Sequence, residues 1–253
     1  MPLAPSEFYL AYLSDLHQLL LASPIVRTHL NGTAIRLDGK NLTLEDFLEF
    51  PFGTLSTLEF AHLFSVFDGS RVHQQYAYQP QQDTPPGIYF TVINHHVLQS
   101  PYKNRLGIYS QSCGKADLYI DSLHIGHYFL KQHQTPPMLG TVAFALCAIT
   151  AHLLGLSCVS LTAAGGVGFE ARYIGYKVWP KLGFDAAIEP EEIACFPHLA
   201  NCCTVQQVLA IDDYWWERYG SQRLMTFDLS AHSASWLKLL RYLHRKLANW
   251  GHS

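Results

Sequence analysis

Apolar side chains recur at helical spacing over residues 6–22 (Phe8, Leu10, Tyr12, Leu13, Leu16, Leu19, Leu20), and Ser23-Pro24 stops the run. That spacing predicts a first helix. Residues 33–42 predict a short strand turned through Asp38-Gly39. Thr43 stands where it can cap a helix over 44–50, with Glu45 and Asp46 in its first turn and Pro51 at its end. Residues 52–67 predict another helix, closed by Asp68-Gly69.

The period then changes. Segments 72–78, 87–97, 105–110 and 116–125 carry β-branched and aromatic residues between turn signals at Pro80, Pro85-Pro86-Gly87, Pro101 to Asn104 and Cys113-Gly114. Four strands so closely spaced predict an antiparallel meander. From Thr141 a helix runs in which Val142, Phe144, Leu146, Ile149, Leu153 and Leu154 spread over more than one face, the pattern of a helix covered on several sides. A strand over 156–162, a flexible run 163–168, a helix near 171–182 and a strand over 184–188 come next. A polar loop to Thr204, a helix near 205–218, a strand over 223–229 and a terminal helix over 233–250 complete the pattern. This order predicts an α/β (α+β) layer structure with a mixed, mostly antiparallel twisted sheet flanked by helices. The expected division is an N-terminal helical segment 1–70 packed on a core 71–188, with a helix–strand–helix extension 189–253.

Between Gln132 and Phe169 there is no Asp, Glu, Lys or Arg, a stretch long enough to span a bilayer. Gly155 divides it, and a helix over 140–154 would reach only ~22 Å. A buried helix leading into a buried strand accounts for it without a membrane.

Composition narrows the classes. Of 253 residues 49% are apolar and 13% aromatic, which excludes disorder as the main state. Seventeen Lys and Arg against 20 Asp and Glu give a net charge of −3, which argues against strong nucleic-acid binding. Six cysteines lack the spacing of a disulfide framework, and Glu7 and Asp15 fall where a signal peptide would be apolar. A reducing, cytoplasmic compartment is the expectation.

Three features in order resemble the GNAT superfamily of acyltransferases: the strand from Asp117 to Ile125 before a loop and long helix; the step from that helix into Gly155-Leu-Ser-Cys-Val-Ser-Leu161; and Tyr176-Lys-Val-Trp-Pro-Lys-Leu-Gly-Phe184, similar to the ending of the family's last helix. The resemblance covers residues 87–188. It implies a GNAT-like core and acyl transfer from acetyl-CoA or another acyl-CoA, as co-substrate, to an amine of a small molecule or peptide. No metal is implied, and a homodimer is left open. It further implies that the cofactor pyrophosphate meets backbone amides at Met138, Leu139, Gly140, Thr141 and Val142, where free N–H groups and the positive end of the helix hold anions. The strand end at Leu123, His124 and Ile125 would receive the pantetheine arm.

The chain departs from the family pattern in two places. Pro136 and Pro137 lack N–H groups, and Trp179 stands where the family's tyrosine acid is expected. Tyr176 and Tyr173, about one and two turns earlier, are the substitutes. For the base that deprotonates the amine, Asp121, His124, His127 and Glu170 are candidates; His124 has an ordinary pKa near neutrality. The same departures motivate an alternative, a catalytically inactive GNAT-like binding protein.

Other signals point elsewhere. His124-Ile-Gly-His127 matches the tetrapeptide of HIGH-motif nucleotidyltransferases, but 123 residues precede it and no Lys-Met-Ser-Lys-like loop comes after it. Cys195, His198, Cys202 and Cys203 cluster without a second Cys-x-x-Cys pair. Lys238, Arg241 and Arg245 line one face of the terminal helix, and Tyr214-Trp-Trp216 suits a core or a lid.

Overall fold

The computed structural model describes residues 6–79, 84–110, 115–124, 129–131 and 135–250. The chain is mixed α and β, with a mostly antiparallel central sheet flanked by helices. It divides into two compact units, 1–159 and 160–253.

In the first unit a π-type turn, Tyr9–Leu13, runs into α1 (Ser14–Ala22). Ser23 then accepts the Val26 N–H and starts α2 (Pro24–His29), with proline where its missing N–H costs nothing. β1 (Arg36–Leu37) and β2 (Lys40–Asn41) pair antiparallel around Asp38-Gly39, as the sequence predicts.

The helix expected over 44–50 is instead a hairpin of β3 (Phe47–Phe50) and β4 (Gly53–Ser56). Asp46 accepts both the N–H (2.8 Å) and the hydroxyl (3.0 Å) of Thr43, so the would-be cap is consumed as a donor in a tight turn. Aromatics at 47, 50 and 52 then suit a strand pair better than a helix. β4 takes the front of the helix expected over 52–67, and α3 runs over Thr57–Leu63. Ser56 and Glu59 form a reciprocal capping box at its start. Ser56→Ala is expected to lower stability by about 1 kcal/mol, read as a lower urea midpoint at unchanged slope.

The meander is present as the pattern predicts: β5 (Arg71–Ala77), β6 (Gly87–Ile93), β7 (Asn104–Ser110) and β8 (Ala116–Ser122), all antiparallel. In this unit the strands neighbour one another in the order β8-β7-β6-β5-β1-β2, with β1 parallel to β5. Residues opposite one another across β6 and β7, Ile88 with Ile108 and Phe90 with Leu106, are buried. Phe60 of α3 and Phe64 just past its end pack on Phe90 with ring centroids 5.1 and 4.3 Å away. α4 (Leu139–Leu153) is buried at every residue except Thr141, His152 and Leu153, and it packs against α1, α2 and α3. Neighbours on several sides explain an apolar pattern with no polar face. Among the described residues no helix is long and apolar enough to cross a membrane.

β9 (Cys158–Gly166) begins at the end of the first unit and continues through the second, four residues beyond the predicted strand. Its extension passes through Gly165 at φ +105°, where a Cβ would lie 1.7 Å from the Tyr173 carbonyl oxygen, an approach only glycine permits. In the second unit β10 (Ser221–Asp228) neighbours β9. α5 (Gly175–Lys181) is shorter than expected. The strand expected over 184–188 is reduced to isolated bridges, Asp185 with Thr226 and Ala187 with Thr204. α6 (Pro190–Ile193) comes next, and the single helix expected over 205–218 is two, α7 (Val205–Ile211) and α8 (Asp213–Tyr219). Asp212 separates them because its carboxylate caps α8 through the Trp215 N–H (2.8 Å). α9 (Ala234–Trp250) closes the chain and places Trp236 against Phe227. Of the aromatic triplet, Trp215 and Trp216 are buried and Tyr214 is exposed.

Candidate active site

The end of β8 in the first unit is irregular in a way that displays side chains. Leu106 pairs with Ile120 and Arg105 with Ser122, so Asp121 is an extra residue on β8. Such bulges bend a strand and re-aim the residues beyond them. Asp121 faces the Arg105 guanidinium at 3.3 Å and accepts from the Thr84 hydroxyl at 2.8 Å. Arg105 in turn lies 4.2 Å over the Tyr89 ring. This carboxylate is held in an ion pair and a hydrogen bond, an arrangement that suits positioning better than proton abstraction.

Leu123 and His124 come directly after the bulge. The His124 backbone N–H donates to Asn104 Oδ1 (2.8 Å), and its ring Nδ1 is 2.8 Å from the Lys103 carbonyl oxygen. A carbonyl only accepts, so Nδ1 carries the proton and Nε2 keeps its lone pair. The ring lies against Tyr102 and Phe129, each at a centroid distance of 4.9 Å. Burial draws its pKa below the ordinary imidazole value, against the opposing pull of the Lys103 bond. At neutral pH His124 is therefore an uncharged ring with a fixed tautomer. Beside it, buried Asn104 has an Nδ2 donor with no acceptor among the described residues. A buried orphan donor is costly unless something fills it.

At the start of α4, Met138 takes left-handed backbone at φ 73°, an uncommon conformation for a side chain of this kind. No side chain among the described residues caps the helix. Of the expected donors, the Leu139 N–H goes to the Pro136 carbonyl (3.3 Å) and the Val142 N–H to the Met138 carbonyl (2.9 Å). The amides of Gly140 and Thr141 have no acceptor among the described residues. Ile125 and His127 lie outside the described residues.

The remaining candidates belong to the second unit. Tyr176 is buried and donates its hydroxyl to the Glu217 carbonyl (2.9 Å), while its own carbonyl accepts from the Trp216 indole (2.9 Å). Glu170 is exposed and paired with Arg172 at 2.9 Å. Trp179 is buried against Phe184. A pocket of about 370 Å³ in this unit is lined in part by Asp185, Thr204, Gln206 and Ser235. Asp185 Oδ1 accepts two backbone N–H groups and the Gln206 amide donates to two carbonyls, so these side chains hold the loop together. His198 pairs with Asp212 at 3.1 Å, and Cys195 and Cys203 are exposed while Cys202 is buried. Among the described residues no three His, Cys, Asp or Glu side chains converge to hold an ion.

Sequence reasoning reached His124 and Asp121 but missed Tyr102, Lys103 and Asn104, which fix the imidazole. The pairing of Arg105 with Ser122 is what brings that turn to His124, and no local pattern encodes a register of this kind. Compared with known protein families, with curated proteins and with solved structures, this chain matches none.

Proposed function

We propose that the protein is a cytoplasmic N-acyltransferase of GNAT-like fold that moves an acetyl or other acyl group from an acyl-CoA to an amine of a small molecule or peptide. The observation that carries this reading is His124, a neutral imidazole past a strand bulge whose Nδ1–H is tied to Lys103, leaving Nε2 to accept a proton. As the amine nitrogen attacks the thioester carbonyl, Nε2 takes its proton. The tetrahedral centre then collapses, the carbon–sulfur bond breaks, and the proton held on Nε2 passes to the departing sulfur, so CoA leaves as the thiol. The Gly140 and Thr141 amides, without an acceptor among the described residues, stand at a helix N-terminus, where such donors attract the phosphate oxygens of a cofactor. The resemblance assigns the pantetheine arm to the strand end at Leu123 and Ile125. The net charge of −3 supports an acceptor other than nucleic acid.

Calorimetry with acetyl-CoA tests the reading: binding that weakens in Gly140→Pro supports it, and no heat at millimolar cofactor overturns it. A second reading, a GNAT-like binding protein without turnover, is favoured by Tyr176, whose hydroxyl must leave Glu217 before it can protonate a thiolate. Release of free thiol across a panel of amines separates the two readings, because the second predicts cofactor binding with no thiol released.

A further inference from the structure

β5 is covered on one side by β6 along its whole length, but on the other side β1 covers only Arg71 and Val72. The Val72 carbonyl accepts the Asp38 N–H (3.0 Å), and the Gln74 N–H reaches the Asp38 carboxylate (3.3 and 3.4 Å). Backbone groups alternate sides along a strand, so the Gln74 C=O, the Tyr76 N–H and C=O, and the N–H of Tyr78 just past the strand face away from β6. None has a partner among the described residues. An open edge is usually blunted by charge, proline or a bulge. Here residues 74–79 read Gln-Gln-Tyr-Ala-Tyr-Gln and carry no charge. Tyr76 and Tyr78 are 55% and 85% exposed and stack at 6.1 Å, with the Gln74 amide donating to the Tyr76 hydroxyl.

We infer that this edge is where two copies of the chain associate, β5 against β5, antiparallel about a two-fold axis at Tyr76. The free groups are self-complementary in that register. Tyr76 N–H and C=O meet the partner's Tyr76 C=O and N–H, and each Tyr78 N–H meets the C=O of the partner's Gln74. Four hydrogen bonds result, and the Gln74 N–H stays with Asp38. Tyr76 and Tyr78 from each copy then form one aromatic layer on a single face, since residues two apart share a face. The two tyrosines expose roughly 300 Å² per copy, from ~200 Å² per ring, against about 800 Å² per partner in a standard stable interface. The dimer is accordingly a weak one in rapid exchange.

Sedimentation velocity on the full chain across roughly 10 to 300 µM, the range where so small an interface dissociates, gives a mass average that rises with concentration. Tyr76→Lys sets two like charges across the axis and abolishes the rise, as does Tyr76→Glu. Mixing the two variants restores association, because opposite charges then face each other; a site for a different peptide would show no such rescue. Tyr76→Pro removes an N–H that β6 does not use and also abolishes dimerisation while circular dichroism is unchanged. A wild-type chain that stays monomeric throughout, or an association untouched by all three substitutions, overturns the inference.

Discussion

In the proposed acyl transfer, replacing His124 by alanine is expected to lower kcat/KM by about 10²- to 10⁴-fold, the span of a positioned general base. The folded state should survive, because the ring sits at the end of a strand rather than in the core formed by β6, β7 and α3. The pH profile makes the prediction specific. Because burial lowers the His124 pKa from its ordinary value, the limb of wild-type kcat/KM that belongs to His124 lies below the usual imidazole value. His124→Ala should lose that limb as well as the rate. Asn104→Ala frees the His124 backbone and exposes the contribution of positioning: a loss in kcat with the limb retained but displaced. A His124→Ala enzyme as active as wild type, or one with an unchanged acid limb, removes His124 from the mechanism.

The second large effect is on stability. His62 of α3 is almost fully buried, with Nε2 at 3.0 Å from the Leu30 carbonyl oxygen; a carbonyl only accepts, so the proton sits on Nε2 and is donated to it. Burial pushes the pKa of this ring down to about 4; the Leu30 bond opposes this, and His17, close enough to repel, adds to it. His17 has its own buried Nε2 with no hydrogen-bond partner among the described residues and meets the Tyr9 hydroxyl through Nδ1 (3.0 Å). The unfolded chain therefore binds protons that the folded chain refuses. Stability is fully present above about pH 6.5 and is lost as the pH falls towards about 4, and the gap between the two values is worth about 3 kcal/mol. Urea titrations at pH 7 and pH 4.5 should show the midpoint falling. In His62→Gln, which keeps a donor for Leu30, much of that fall should disappear. A wild-type midpoint that does not move between these pH values contradicts the burial argument.

These two histidines show what a chain pattern reveals and what it hides. The meander was legible because alternation and turn residues act locally, and the buried α4 was legible from its lack of a polar face. Thr43 misled because a hydroxyl that can cap a helix can equally be captured by a carboxylate three residues on. Asp212 carried no warning of the break between α7 and α8, although an Asp inside a helical run can cap the segment on its C-terminal side. At the site, His124 could be singled out by its chemistry alone. Its tautomer could not, because Lys103, whose carbonyl sets it, is 21 positions away and reaches the ring only through strand register. Nor could the sequence show that Tyr176 spends its hydroxyl on Glu217, a bond closed over 41 residues.

The thiol of Cys147 lies inside α4, fully enclosed, its sulfur 3.1 Å from the Leu63 carbonyl, and burial lifts its pKa to about 12. Thiolate is the form that electrophiles attack, so this sulfur is inert while the helix remains packed. Cys195 and Cys203 lie in the open. Maleimide dyes and spin labels therefore meet those two before they meet Cys147, and a probe attached there reports on the second unit without disturbing the packed helix of the first.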